Sequence, residues 1–302
     1  MAQQEAMTLL EFQEKFSTEE ACLEHLRRMK WPEGFVCPRC GHDRCFDLPK
    51  RKLFQCKQCK YQASATAGTI MQGTRTPLLK WFWAIFLMGH DKRGVSSEML
   101  QRELKLTRYR ADAMEKKVRH AMGERDAKYL LSGLVELDEG FFGAPSEGGR
   151  RGRGTDKTPV MTGLSLDSRG RPGFIHMQAL DAVNGDAVKN FADKYIQPYS
   201  MVNTDGLNIF NNLSGLGYDH LSQNFDPVAN PDHLGWIHTF ISNAKAFIGG
   251  TYHGLDEKYL QLYLNEFCWR ANRRKFKGQW FNRLLHSCLF CPPVTFKQLV
   301  SE

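Results

Sequence analysis

Leu134-Val135-Glu136-Leu137-Asp138-Glu139 is the stretch on which the fold turns. An apolar, β-prone run that closes on acids reads as a strand over Leu134–Leu137 with Asp138 at its end, where a carboxylate without a partner is costly to bury. Further along, Met201-Val202-Asn203-Thr204-Asp205-Gly206 repeats the device, with Asp205 at a strand end before a glycine turn. Between the two lie β-like runs at Val160–Leu166 and Gly173–Gln178 and a helical stretch at Gly185–Tyr195. The order strand, strand, strand, helix, strand predicts a mixed α/β sheet. Two strand-end carboxylates can bridge a pair of Mg²⁺ ions that activate a water or a 3′-hydroxyl and stabilise the leaving oxygen in phosphoryl transfer. Taken singly, either aspartate is more often a cap or turn residue.

Composition narrows the partners. The chain has 302 residues, 42% hydrophobic and 25% charged, which is room for one sizeable core and one or two small modules. The longest apolar run, Trp81–Met88, is far shorter than the roughly 20 residues of a membrane-spanning helix. The first sixteen residues mix Glu, Gln and Lys among apolar ones and lack the order of a secretory signal, so a cytoplasmic location is expected. A formal charge of +8 and a pI near 9.0 favour a polyanion, which inside a cell usually means nucleic acid.

Nine cysteines in a reducing compartment point to metal rather than to disulfides. Cys37-Pro38-Arg39-Cys40 and Cys56-Lys57-Gln58-Cys59 form two C-x2-C knuckles separated by fifteen residues, the spacing of a zinc ribbon. Cys45 reads as a bystander, and Cys288 with Cys291 as packing residues. Upstream, residues 8–29 have helical periodicity, broken near Ser17-Thr18 where a second helix can start. Downstream, Leu78–Gly89, Ser96–Leu104 and Thr107–Met122 read as three helices. The last two, with Lys105-Leu106-Thr107 between them, match a helix-turn-helix whose second helix presents Arg108 and Arg110 at its start. A purely structural three-helix bundle is an equally good reading.

With these pieces in order, the chain from Cys37 to Arg274 resembles the insertion-sequence transposases that join an N-terminal zinc ribbon to a DDE-type catalytic domain. The resemblance rests on five segments: Val135–Gly143, Gly152–Gly163, Asn203–Gly206, Gly250-Thr251-Tyr252-His253-Gly254, and Tyr263–Arg274. It implies an RNase H-like fold, Asp138 and Asp205 as the first two ligands of catalytic Mg²⁺ or Mn²⁺, and cleavage and transfer of transposon ends. It also implies a layout: a helical segment over 1–34, the ribbon over 35–68, the helix-turn-helix-like block over 69–128 and the catalytic domain over 129–302.

The third ligand departs from the acidic pattern, since Trp236–Ile248 holds no Asp or Glu. The family's acceptance of Asn followed by Lys makes Asn243 with Lys245 the inherited assignment. Helical geometry raises His238 as a rival, because it lies seven residues before Lys245 and shares its face. Asn243 ranks ahead. A neutral ligand in either place leaves the metals one negative charge short, which favours weaker binding or the softer Mn²⁺. Glu266 is a carboxylate on a later helix, but an ion pair with Arg270 one turn on is its simpler use.

Arginines mark an expected DNA path: Arg150, Arg151 and Arg153 in a glycine loop, then Arg273 and Arg274 with Lys275 and Lys277 beyond them. The interleaved Trp269, Phe276, Trp280 and Phe281 read as core before stacking platforms. The expectation is therefore a transposase acting on double-stranded DNA, as a homodimer or larger because two ends meet one target. The rival is a non-catalytic zinc-ribbon and helix-turn-helix DNA-binding protein, a regulator or an inactivated descendant.

Overall fold

A computed structural model describes residues 7–143 and 155–301, apart from 225, 227 and 231. Arg150, Arg151 and Arg153 lie outside the described residues. The chain divides into two compact units, Met1–Met122 with Phe276–Glu302, and Gly123–Lys275.

In the first unit, α1 (Leu9–Lys15) starts at a capping box made by Thr8 and Glu11, and α2 (Glu19–Lys30) at Thr18. The helix start read at Ser17-Thr18 is therefore real, and its physical basis is the Thr18 hydroxyl accepting the Ala21 N–H. Next, α3 (Leu78–His90) begins after Pro77, which supplies no side-chain cap. Its first N–H groups, on Leu78 and Leu79, donate instead to the Glu19 carboxylate at 2.9 and 3.0 Å. Burial works to raise the proton affinity of Glu19, but Lys52 and these two N–H groups outweigh it and hold the carboxyl below its ordinary range. Phe12, Phe16, Phe82 and Phe86 pack ring against ring, and Phe281 of α9 (Trp280–Phe290) joins them. Hence residues beyond 275, expected in a catalytic domain over 129–302, pack in this unit. After α4 (Ser97–Leu104), Lys105 takes the left-handed conformation at φ 48°, and α5 (Arg108–Asp126) follows Thr107.

The second unit is built on one sheet: β4 (Leu134–Phe142), β5 (Thr158–Leu166), β6 (Pro172–Ala179), β7 (Met201–Thr204) and β8 (Asp219–Ser222), in the order β6-β5-β4-β7-β8. The first three form an antiparallel meander, while β7 and β8 run parallel to β4 after the crossover α6 (Gly185–Tyr195). This is the RNase H-like arrangement. Alternation along β4 sends Val135 and Leu137 to one core, with Met161, Phe191, Val202 and Phe210. Phe142 goes to the other, under α7 (Gly235–Thr251) and α8 (Leu260–Asn272), with Val160, Leu164, Ile237, Ile241 and Leu264. Helix α8 also closes the free edge of β6. Its Gln261 and Asn272 amides exchange hydrogen bonds with the backbone of Met177, Ala179 and Ile175, as a neighbouring strand would. The strand read as ending at Leu137 continues to Phe142, so Asp138 sits in mid-strand.

On β6, His176 is buried, stacks on Tyr195 at 4.4 Å and meets the Tyr129 carbonyl through Nε2 at 2.8 Å. Burial pushes its pKa down to about 4, against an ordinary value near 6.5. The unfolded chain therefore binds the proton first, so stability is full above about pH 6.5 and falls toward pH 4, by at most about 3 kcal/mol from this residue. Urea midpoints measured across that window should fall for the wild type and fall less for His176→Gln.

Candidate active site

Strand β7 pairs with β4 only over Leu134–Glu136 and stops at Thr204. Carried on by two residues, that register directs Asp205 toward Asp138, past the point where the two strands cease to pair. The same alternation turns Glu136, Asp138 and Asp205 toward α7, since Val135 and Val202 face the opposite core. Asp138 is buried and Asp205 half-buried. One Asp138 oxygen accepts the Glu139 N–H at 2.8 Å, and Asp205 accepts the Leu207 N–H at 3.3 Å.

Helix α7 brings the third member. His238 Nε2 lies 3.2 Å from Asp138 Oδ2. The hydrogen bond to Asp138 raises the imidazole's proton affinity, burial opposes it, and the charges of Asp138, Glu136 and Asp205 add to the rise. Lys245, two turns on along the same face, is lowered by burial and by Lys157 and raised by Asp138, which places its ammonium in the same field.

Asn243 is exposed. Five residues separate it from His238, about 140° around the helix, and Ile237, Ile241 and Ala244 fix which side of α7 faces the sheet. Of the two candidates, His238, itself exposed, is the side chain in contact with Asp138.

Glu136 is the member that sequence reading passed over. It is buried, and its Oε2 accepts the N–H of Ile237 at 2.8 Å. The N-cap of α7, Leu234, has φ 54° and offers no side-chain acceptor, so this carboxylate does the capping from across the sheet. Burial raises its proton affinity, the Ile237 N–H and His238 lower it, and Asp138 raises it again. The available signal was the spacing: Glu136 and Asp138 are two apart in a strand and therefore share a face. Immediately beyond, a Cβ on Gly140 would come within 2.9 Å of Ile241, so glycine here lets α7 lie directly on β4.

The other expected residues separate. Arg108 and Arg110 are exposed at the start of α5. Arg273 is buried, donates to Asp126 at 2.6 Å and to the Trp269 carbonyl at 3.2 Å, and lies over the Trp269 ring. Its charge is spent inside, because a buried guanidinium needs such partners, and it is not presented to phosphate. Arg274 is half-buried and donates to the carbonyls of Pro172, Gly173 and Ala271. Glu266 and Arg270 form a buried ion pair at 2.7 Å.

In the first unit, the sulphurs of Cys37, Cys40, Cys56 and Cys59 all lie within 4.8 Å of one another, the only such group of metal-ligating side chains among the described residues. A zinc ion with bonds of about 2.3 Å places its sulphurs roughly 3.8 Å apart, and two pairs stand at 3.6 Å. Each knuckle is closed by a backbone turn, Gly41 N–H to Cys37 and Lys60 N–H to Cys56. The strands β1 (Cys45–Leu48), β2 (Leu53–Cys56) and β3 (Gln62–Ala63) carry them, and Cys45 stays outside the cluster.

The ISXO2-like transposase domain pattern matches residues 130–272, and a transposase zinc-ribbon domain matches residues 17–62. The chain belongs to the insertion-sequence transposases. A curated relative described as an uncharacterized protein in transposable element ISH50, from Halobacterium salinarum, is 27% identical over 159 residues, which is 51% of either chain. The chain thus spans about half the length of that relative. A solved Mos1 mariner paired end complex with Mn shares 13% identity over 68% of this chain and 78% of its own, at a TM-score of 0.26, too low to carry residues across.

For this transposase, Glu136→Ala should cost about 1–3 kcal/mol by orphaning the Ile237 N–H, while Glu136→Gln, which can still accept, should recover most of it in urea unfolding. Zinc release assays should find one ion per wild-type chain. Cys59→Ser should lose the ion and the ribbon's own thermal transition.

Proposed function

We propose that this transposase binds the terminal inverted repeats of its element and catalyses divalent-metal-dependent strand cleavage and strand transfer. The observation that supports this best is the contact of His238 with Asp138 at 3.2 Å, on the face of the sheet toward which the register of β7 also directs Asp205. The hydrogen bond to Asp138, with the charges of Asp138, Glu136 and Asp205, raises the proton affinity of His238, and a divalent cation satisfies such carboxylates as a proton does. Asp138, Asp205 and His238 would hold Mg²⁺ or Mn²⁺, which supplies activation of a water or 3′-hydroxyl and charge relief at the leaving oxygen. Glu136 keeps His238 in place through α7. Lys245, on the same helix face, is positioned to meet a phosphate oxygen.

Within this reading, Arg108 and Arg110 of the helix-turn-helix contact DNA, and the zinc ribbon adds a basic surface around Lys57 and Lys60. The layout of helical segment, ribbon, helix-turn-helix block and catalytic domain stands as part of the proposal, as do a dimeric or larger assembly and a cytoplasmic location. No helix among the described residues is long and apolar enough to cross a membrane.

The test uses DNA carrying the repeats that flank the gene. Asp138→Ala and Asp205→Ala should bind these ends and fail to cut or join them. His238→Ala should impair cutting, Asn243→Ala should not, and His238→Glu should shift the metal optimum from Mn²⁺ toward Mg²⁺. A wild type that binds its ends and never cleaves them would establish the non-catalytic alternative.

A further inference from the structure

Tyr252, His253 and Gly254 have no part in the acid cluster, yet they form one wall of a cavity of about 370 Å³ in the second unit. Phe142, Tyr252 and Leu260 give that cavity an apolar lining, and Lys157 and Lys245 stand on it as cations. The Tyr252 hydroxyl donates to Glu266 at 3.3 Å and its ring lies edge-on to Tyr263 at 4.5 Å, so the aromatic wall is fixed in place. A mainly apolar cavity bordered by two ammonium groups, with the Glu257 carboxylate also on its wall, matches a nucleotide, whose base is apolar on its faces and whose phosphate is anionic. The volume falls in the range of small-ligand sites and is too small for a duplex.

The cavity also lies at a defined place along the helix. Lys245 follows His238 by seven residues on one face of α7, about 10 Å along the axis. At about 3.4 Å per nucleotide in a duplex strand, that is at most about three nucleotides from a phosphate held at Asp138.

We propose that the cavity receives one unpaired nucleotide of the strand that runs to Asp138, its base against Phe142 and Tyr252 and its phosphate between Lys157 and Lys245; the inference rests on the catalytic reading above. A base taken out of its stack beside the reacting phosphate keeps the strand end open and in register for cutting.

The experiment compares full-length protein on two probes, a blunt duplex and the same duplex with a short unpaired extension, made with either strand polarity. Wild type should bind one of the extended probes about tenfold more tightly than the blunt one. Gly249 lines the cavity and a Cβ added there meets nothing within 4 Å, so Gly249→Leu fills the space at a helix position where leucine is favoured. It should abolish the preference and leave blunt-duplex affinity and melting temperature unchanged; Lys157→Ala should reduce the preference. Equal affinity for all probes in the wild type, or a preference that survives Gly249→Leu, would overturn the assignment. Asp138→Ala should keep the preference; if it also still cuts DNA, the catalytic reading fails while the cavity assignment stands.

Discussion

The seating of α7 on β4 is the constraint from which the candidate chemistry follows. Two contacts define it: Glu136 accepting the Ile237 N–H, and the bare backbone of Gly140 beneath Ile241. One fixes the start of the helix, the other its height above the sheet. Between them His238 stands over Asp138, one and three residues of helix from Ile237 and Ile241, and Asp138 lies two residues of strand from Glu136 and Gly140. A side chain at the third position could not be placed by local sequence alone, because both anchors reach across the sheet.

Glu136 is not an isolated case. Glu19 does the same for α3, whose N-cap is Pro77, and both helices are rich in apolar residues with no polar side chain at their own starts. A carboxylate borrowed from elsewhere in the fold satisfies the exposed N–H groups and the positive end of the helix dipole together. Each unit thus uses one acid, half-buried Glu19 in the first and buried Glu136 in the second, to join a helix to another element. The cost of burying the charge is offset by the donors it meets.

Much of this was legible in the sequence where local physics decides. The start of α2 at Thr18, the span of α6 and that of β7 follow from capping and periodicity, and the cysteine spacing foretold a four-sulphur cluster. Reading failed where long-range contacts decide. Asp138-Glu139-Gly140 looks like a strand terminus, yet β5 pairs along the whole of β4 and carries the strand through it. Arg273 looks like a phosphate ligand in a basic run, yet Asp126, nearly 150 residues earlier, holds it inside. The choice between Asn243 and His238 was open in sequence because family precedent and helical phase disagreed; in the structure His238 is the one in contact with Asp138, and three apolar residues set the rotation of α7.

The brevity of β7 has a consequence of its own. The gap beside Asp138 is made by where a neighbouring strand stops, a property of topology and not of any side chain. Drift at the third position can exchange a carboxylate for an imidazole without closing that gap, because nothing in its shape depends on the residue that reaches in from α7. On the proposed reading, such a site could change its metal appetite while keeping its doorway.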